Sequence, residues 1–164
     1  MAGYARRPFS CTPVRDSLRA VSRACTLSRI PVADLVFFYG TLMAGFDRRR
    51  RAGIDGKLTY VGRGSITAAL FDLGIYPAAV PASEGLVWGE VYAMSDEAAV
   101  LTALDEIEGY RPDEPDLSLY LRQKTGVRLP DDTLAEAWVY FYNAPLGRAQ
   151  QIASGDYLEH VKAR

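Results

Sequence analysis

Val36-Phe37-Phe38-Tyr39-Gly40-Thr41-Leu42 is the stretch on which the reading of this 164-residue chain turns. A β-rich apolar run opens at Asp34 and closes at Gly40, the pattern of a buried strand. Glycine at the strand end permits a turn with positive φ or the close approach of a ligand. Successive N–H groups leaving a strand through such a turn form a concave anion site suited to a carboxylate.

Composition narrows what can be done with that site. Apolar residues make up 49% of the chain and charged residues 24%, as in an ordinary globular domain able to bury a core. No apolar run approaches the length of a membrane-spanning helix. The net charge of −1 hides a division along the chain. Residues 1–33 hold six of the 19 basic residues and one of the 20 acidic ones, leaving 13 against 19, a net −6, over residues 34–164. An acidic body argues against a nucleic-acid partner, which requires clustered positive charge. The run Arg48–Arg51 is the exception, and reads as a solvated helix face or loop.

Both cysteines, Cys11 and Cys25, lie in the basic leader, and the sole histidine, His160, lies five residues from the end. The body thus has neither a Cys–His pair nor the ligands of a structural zinc site. Chemistry in the body falls to carboxylates, tyrosine hydroxyls, Ser/Thr and backbone amides. The leader, residues 1–33, lacks the apolar core of a secretory signal and reads as a transit peptide, a disordered extension or an early start. The domain proper is placed at 34–164, and a cytoplasmic location is expected, organellar if the leader is a transit peptide. The sequence specifies no oligomeric state.

Along the body, strands are expected at 34–39, 57–62, 65–72, 85–94, 118–129 and 134–142, the last buried on both faces. Ser95–Glu108 reads as a helix, with Ser95 as N-cap, an apolar face of Val100, Leu101, Leu104 and Ile107, and Gly109 as its stop. A second short helix is expected from about Leu146 to Ser154. Glu108 stands in the last turn of the first helix. The negative end of the helix dipole and the nearby Asp105 and Glu106 would raise its pKa, which suits a general base working near neutrality.

Tyr39-Gly40-Thr41-Leu42, Gly89-Glu90-Val91-Tyr92, Leu104-Asp105-Glu106-Ile107-Glu108-Gly109-Tyr110 and Tyr120-x-Arg122 follow one another in order. This series resembles the γ-glutamylcyclotransferase-like family, in particular its AIG2-like and γ-glutamylamine cyclotransferase-like branch, over about residues 34–145. The resemblance implies an α+β fold, a small mixed β-barrel flanked by helices. It also implies a cofactor-free reaction, without metal or nucleotide, on a small-molecule substrate: a γ-glutamyl amide or amine closes to 5-oxoproline and frees its amine. Carried over residue by residue, Glu108 is the acid/base, Tyr39, Gly40, Thr41 and Leu42 hold the glutamyl carboxylate, and Tyr120 lines the pocket. The same fold acting only as a small-carboxylate binder is the alternative. Tyr76-Pro77 is expected at the pocket rim, Glu90 and Tyr142-Asn143 can face the same cavity, and Arg122 is expected to pair with a carboxylate. The chain departs from the amine-specific relatives at Arg48–Arg51, where they carry asparagine and histidine.

Overall fold

The computed structural model describes residues 34–164, so the expected leader and both cysteines lie outside the described residues. The described residues form six strands, β1 (Leu35–Phe38), β2 (Leu58–Asp72), β3 (Pro77–Met94), β4 (Tyr120–Arg128), β5 (Leu134–Tyr142) and β6 (Gln150–Gln151), and three α-helices, α1 (Arg48–Arg51), α2 (Glu97–Glu108) and α3 (Tyr157–Lys162). The sheet order is β3-β1-β5-β4-β2-β6, and an additional β3–β2 pairing closes the first five strands into a barrel. Only β1 and β5 run parallel; every other pairing is antiparallel. The expected mixed barrel with flanking helices is therefore present.

β1 is apolar throughout because it is enclosed. It pairs with β3 on one edge and β5 on the other, and Val36, Phe37 and Phe38 are all buried. A strand covered on both faces carries no polar alternation. Gly89 on β3 lies so close to it that a Cβ there would stand 2.2 Å from the Phe38 carbonyl oxygen and 2.6 Å from Phe37 Cζ. The glycine in the Gly89-Glu90 pair is thus a packing requirement of the β1–β3 interface.

Several expected elements are longer or displaced. The glycines at 62 and 64 do not separate two strands: β2 runs unbroken, with a register irregularity between Tyr60 and Gly62. Such a bulge bends a strand without ending it. β3 extends back to Pro77, and its register jumps from Leu86 opposite Thr67 to Pro81 opposite Ala68, so Pro81 sits at an irregularity where a missing N–H is tolerated. β5 is buried only in its second half; Leu134 is 72% exposed because the hairpin with β4 projects beyond the core.

The expected helix at 146–154 is absent. Gln150–Gln151 pair instead with the open edge of β2, and Ile152 N–H donates to the Leu70 carbonyl at 2.8 Å. The last helix starts only at Tyr157, capped by the Asp156 carboxylate. The cap of α2 also differs by one residue. Asp96 accepts from Ala99 N–H, whereas the Ser95 hydroxyl donates to the Lys57 carbonyl. Three side chains fix α2 on the sheet: Trp138 Nε1 donates to Glu97 at 2.6 Å, and Tyr140 and Arg122 donate to Asp105 at 2.6 and 2.8 Å. Gly109, in the left-handed region at φ 63°, ends α2, and its carbonyl accepts from Leu119 N–H just before β4 begins.

Substituting Gly89→Ala is expected to destabilise the protein by about 3 kcal/mol or more, since backbone and ring must both move. Gly126→Ala on β4, where nothing lies within 4 Å, is expected to be neutral or slightly stabilising. Urea denaturation of both variants checks the contrast.

Candidate functional site

The end of β1, the start of β3, the end of α2 and the start of β4 meet around one cleft enclosing about 380 Å³, its open mouth included. Tyr39, Gly40, Thr41, Leu42, Glu108 and Tyr120 all line it, so the six residues to which the resemblance gives a role are brought together. Tyr76 and Pro77 line it as well, together with Tyr140 and Arg48.

Gly40 does not have positive φ. Its glycine is required by packing: a Cβ would stand 2.5 Å from Pro77 Cγ. The Tyr120 hydroxyl donates to the Pro77 carbonyl at 3.0 Å, so Tyr120, Pro77 and Gly40 form one continuous wall. Beyond Gly40 the chain makes a turn in which Met43 N–H donates to the Gly40 carbonyl at 2.9 Å, and Ala44 N–H donates to Glu90 Oε2 at 2.7 Å. The intervening amides of Gly40, Thr41 and Leu42 donate to no protein group among the described residues. Three successive unclaimed N–H groups on a cleft wall are donors of the kind from which anion-binding concavities are built.

Glu108 faces this loop across the cleft. Its carboxyl is raised from the ordinary 4.5 to about 7, chiefly because burial disfavours the charged form, with the Arg48 guanidinium opposing the rise. Neither Asp105, whose carboxylate is paired with Arg122, nor Glu106 is a cause of the rise, contrary to expectation. Both tyrosine hydroxyls are committed to the main chain. Tyr39 donates to the Tyr140 carbonyl at 2.7 Å and Tyr120 to Pro77, and burial pushes both phenols well above their usual range. They present ring surfaces and remain neutral.

Other expectations resolve differently. Glu90 does not line the cleft; it holds the following loop through Ala44 and accepts from the Tyr92 hydroxyl at 2.8 Å. Tyr142 packs edge-on against Tyr120, and Asn143 donates to the carbonyls of Pro115 and Ser118, so neither lines the cleft. The arginine run is only half solvated. Arg49 lies 4.5 Å over the Tyr92 ring with little exposure, and Arg48 enters the cleft, where its Nη1 donates to Thr41 Oγ1 at 2.9 Å. A single helical turn points four consecutive residues in four directions, and composition alone does not say which turns inward.

Residues 36–159 match the family Gamma-glutamyl cyclotransferase, AIG2-like, and the chain belongs to that family. It is, on that ground, an enzyme of the cyclotransferase type. The Escherichia coli (strain K12) γ-glutamylcyclotransferase family protein YtfP is 38% identical over 131 residues, which span 77% of this chain and 98% of that protein. MJ1514 of Methanocaldococcus jannaschii is 30% identical over 128 residues, with the same coverage of 77% and 98%. Among solved structures, the solution structure of E. coli ytfP has a TM-score of 0.54 at 31% identity, covering 77% of this chain and 98% of that one. An AIG2-like protein from Mus musculus has a TM-score of 0.54 at 24% identity, covering 69% of this chain and 80% of that one, and is similar in fold. No helix among the described residues is long and apolar enough to cross a membrane.

The Glu108 carboxyl has a sign that stability measurements can read. Its folded pKa of about 7 exceeds the ordinary 4.5, so between those values the folded state holds a proton that the unfolded state has lost. Stability therefore falls as pH rises through this window, by on the order of 3 kcal/mol once pH exceeds 7. Glu108→Gln removes the effect. Relative to the parent, that variant is expected to gain about 2–3 kcal/mol on moving from pH 4.5 to pH 8.5. Urea melts at both pH values check this; a pH-independent difference would mean an ordinary carboxyl.

Proposed function

We propose that this protein closes a small γ-glutamyl amide or amine into 5-oxoproline and releases the free amine, with Glu108 as general acid/base. The observation that carries the reading is one buried carboxyl, raised to about 7, facing three unclaimed loop amides across a single cleft. Family membership supports the same chemistry.

The roles follow from where charge must go. The substrate's α-carboxylate is held by the amides of Gly40, Thr41 and Leu42, which places the adjacent ammonium toward Glu108. The α-nitrogen must give up a proton before its lone pair can attack the γ-carbonyl carbon. Attack forms the ring C–N bond, and the tetrahedral intermediate collapses by breaking the bond to the leaving nitrogen. The ammonium enters with three protons and the lactam nitrogen keeps one. Two protons therefore pass to the leaving amine, which departs as an ammonium ion, and one carboxyl can carry them in turn. A pKa near 7 lets the same carboxyl serve as base and then as acid at neutral pH.

Ring closure needs a folded substrate conformation, and the cleft walls supply it. The rings of Tyr39 and Tyr120 are fixed by their hydroxyls, so the cavity has a set shape before substrate arrives. Holding nucleophile and carbonyl together removes much of the entropic barrier to an intramolecular attack.

With γ-glutamyl compounds as substrates, Glu108→Gln is expected to lower 5-oxoproline release by at least about a hundredfold while circular dichroism shows the parent fold. Glu106→Gln, on an exposed face of the same helix, is the control and should retain activity. In the parent, kcat/KM is expected to rise tenfold per pH unit below about 7 and level off above it, since the carboxylate is the form that accepts the proton. Near-parent turnover in Glu108→Gln would remove this residue from the mechanism.

A further inference from the structure

Arg48 is the one basic residue among those lining the cleft. Two others in the run have carboxylate partners, Arg49 with Asp55 at 3.4 Å and Arg50 with Asp47 at 3.2 Å, and the fourth, Arg51, is exposed to solvent. Arg48 has no carboxylate within 4.0 Å among the described residues, and its side-chain hydrogen bond goes to a neutral hydroxyl, Thr41 Oγ1, at 2.9 Å. A guanidinium offers five N–H donors in a rigid fork matched to a carboxylate, so most of its capacity remains unspent. Glu108 feels its charge across the cleft without forming an ion pair with it.

A half-buried cation lacking a counter-charge is a cost to the fold that an incoming anion can offset. The position of the hydrogen bond says where that anion would sit. Thr41 is the middle residue of the three whose amides are unclaimed, so a carboxylate on those amides lies beside the guanidinium that Thr41 holds. The ammonium next to that carboxylate points the other way, toward Glu108. The cleft is therefore arranged with positive charge on the loop side and a titrating acid on the helix side.

Resting on the reading of the site given above, we propose that Arg48 is a direct ligand of the substrate's α-carboxylate. The cleft thus selects the zwitterionic amino-acid head of a γ-glutamyl compound without regard to the charge of the leaving amine. A guanidinium adds a full charge to what the amides offer as dipoles, and charge-assisted hydrogen bonds are the stronger class. Arg48 then favours amides that carry the carboxylate over those that keep only the attacking amine.

The test pairs two proteins with three substrates: a γ-glutamyl alkylamide, the same alkylamide of 4-aminobutanoate, which lacks the α-carboxylate, and a γ-glutamyl amino acid, whose leaving amine is anionic. Arg48→Met is expected to lower kcat/KM about thirtyfold for both γ-glutamyl compounds and less than about threefold for the decarboxylated one. Arg48→Lys should recover part of the loss, showing that the charge and not a fold defect is responsible. An equal loss on all three substrates, or a loss confined to the substrate with the anionic leaving amine, overturns the assignment. If the parent turns over no γ-glutamyl compound, the reading as a cyclotransferase fails, and isothermal titration with L-5-oxoproline and 2-pyrrolidinone still decides the role of Arg48. Arg48→Met should then weaken 5-oxoproline binding at least tenfold and leave 2-pyrrolidinone unchanged; unaltered 5-oxoproline binding, or none in the parent, overturns it.

Discussion

Four residues of backbone, Leu35–Phe38, hold the two halves of the barrel together. β1 is the strand that joins β3 to β5, antiparallel on one side and parallel on the other. Its enclosure explains why its residues are aliphatic and aromatic and why Gly89 can have no side chain. Because β1 is locked on both edges, the residues that leave it are delivered to a fixed place. Tyr39 and Gly40 enter the cleft wall directly from the strand, and the chain turns at Gly40–Met43 against Pro77 at the start of β3. A parallel pairing of this kind needs a long excursion of chain between its strands, here the whole segment between β1 and β5. The loop of the candidate site is therefore defined by the contacts of highest sequence separation in the barrel.

The cleft is assembled at the expense of stability. Glu108 is placed where burial raises its pKa, and Arg48 is placed nearby without a carboxylate partner among the described residues. Two other acids on the sheet and on α2 are partnered. Asp105 takes both Arg122 and the Tyr140 hydroxyl, and Asp72 accepts from His160, Arg164 and the amide of Gly74. On α2 the contrast occurs within one turn: Asp105 is neutralised by a cation stacked near Tyr110 and Trp138, while Glu108 receives no such partner among the described residues. A uniformly stabilised protein would pair both acids. Leaving Glu108 unpaired is what an acid/base role at neutral pH requires.

How far this could be read from the chain depended on whether the signal was local. Strand β1, the two hairpin strands β4 and β5, and the stop of α2 at Gly109 follow from periodicity and turn residues near them in sequence. The α2 cap was misplaced because Ser95 and Asp96 both suit the position, and the choice was made by Lys57, a residue 38 positions away. The segment around Gln150–Gln151 has no strand signal of its own; its conformation is imposed by the open edge of β2. At the site, Glu108 was readable by position and motif, but the main cause of its shift was not, since burial is a property of the assembled cleft. Gly40 illustrates the same point. Its glycine signalled a special backbone, yet the requirement comes from Pro77, which sequence distance hides. Arg48 was concealed within a run of four identical residues.

The barrel's closure is uneven. β2 and β3 pair along most of their length, whereas β2 and β4 share one paired position, Ser65 with Arg128. That seam lies at the end of β4 opposite Tyr120, roughly 26 Å along the strand from the cleft wall. Local opening events begin where backbone pairing is thinnest. By this measure the weakest closure of the barrel lies at Ser65 and Arg128, away from the cleft. The molecule separates its compliant part from its chemical part along a single strand, so thermal motion at one end of β4 need not disturb the alignment of groups at the other.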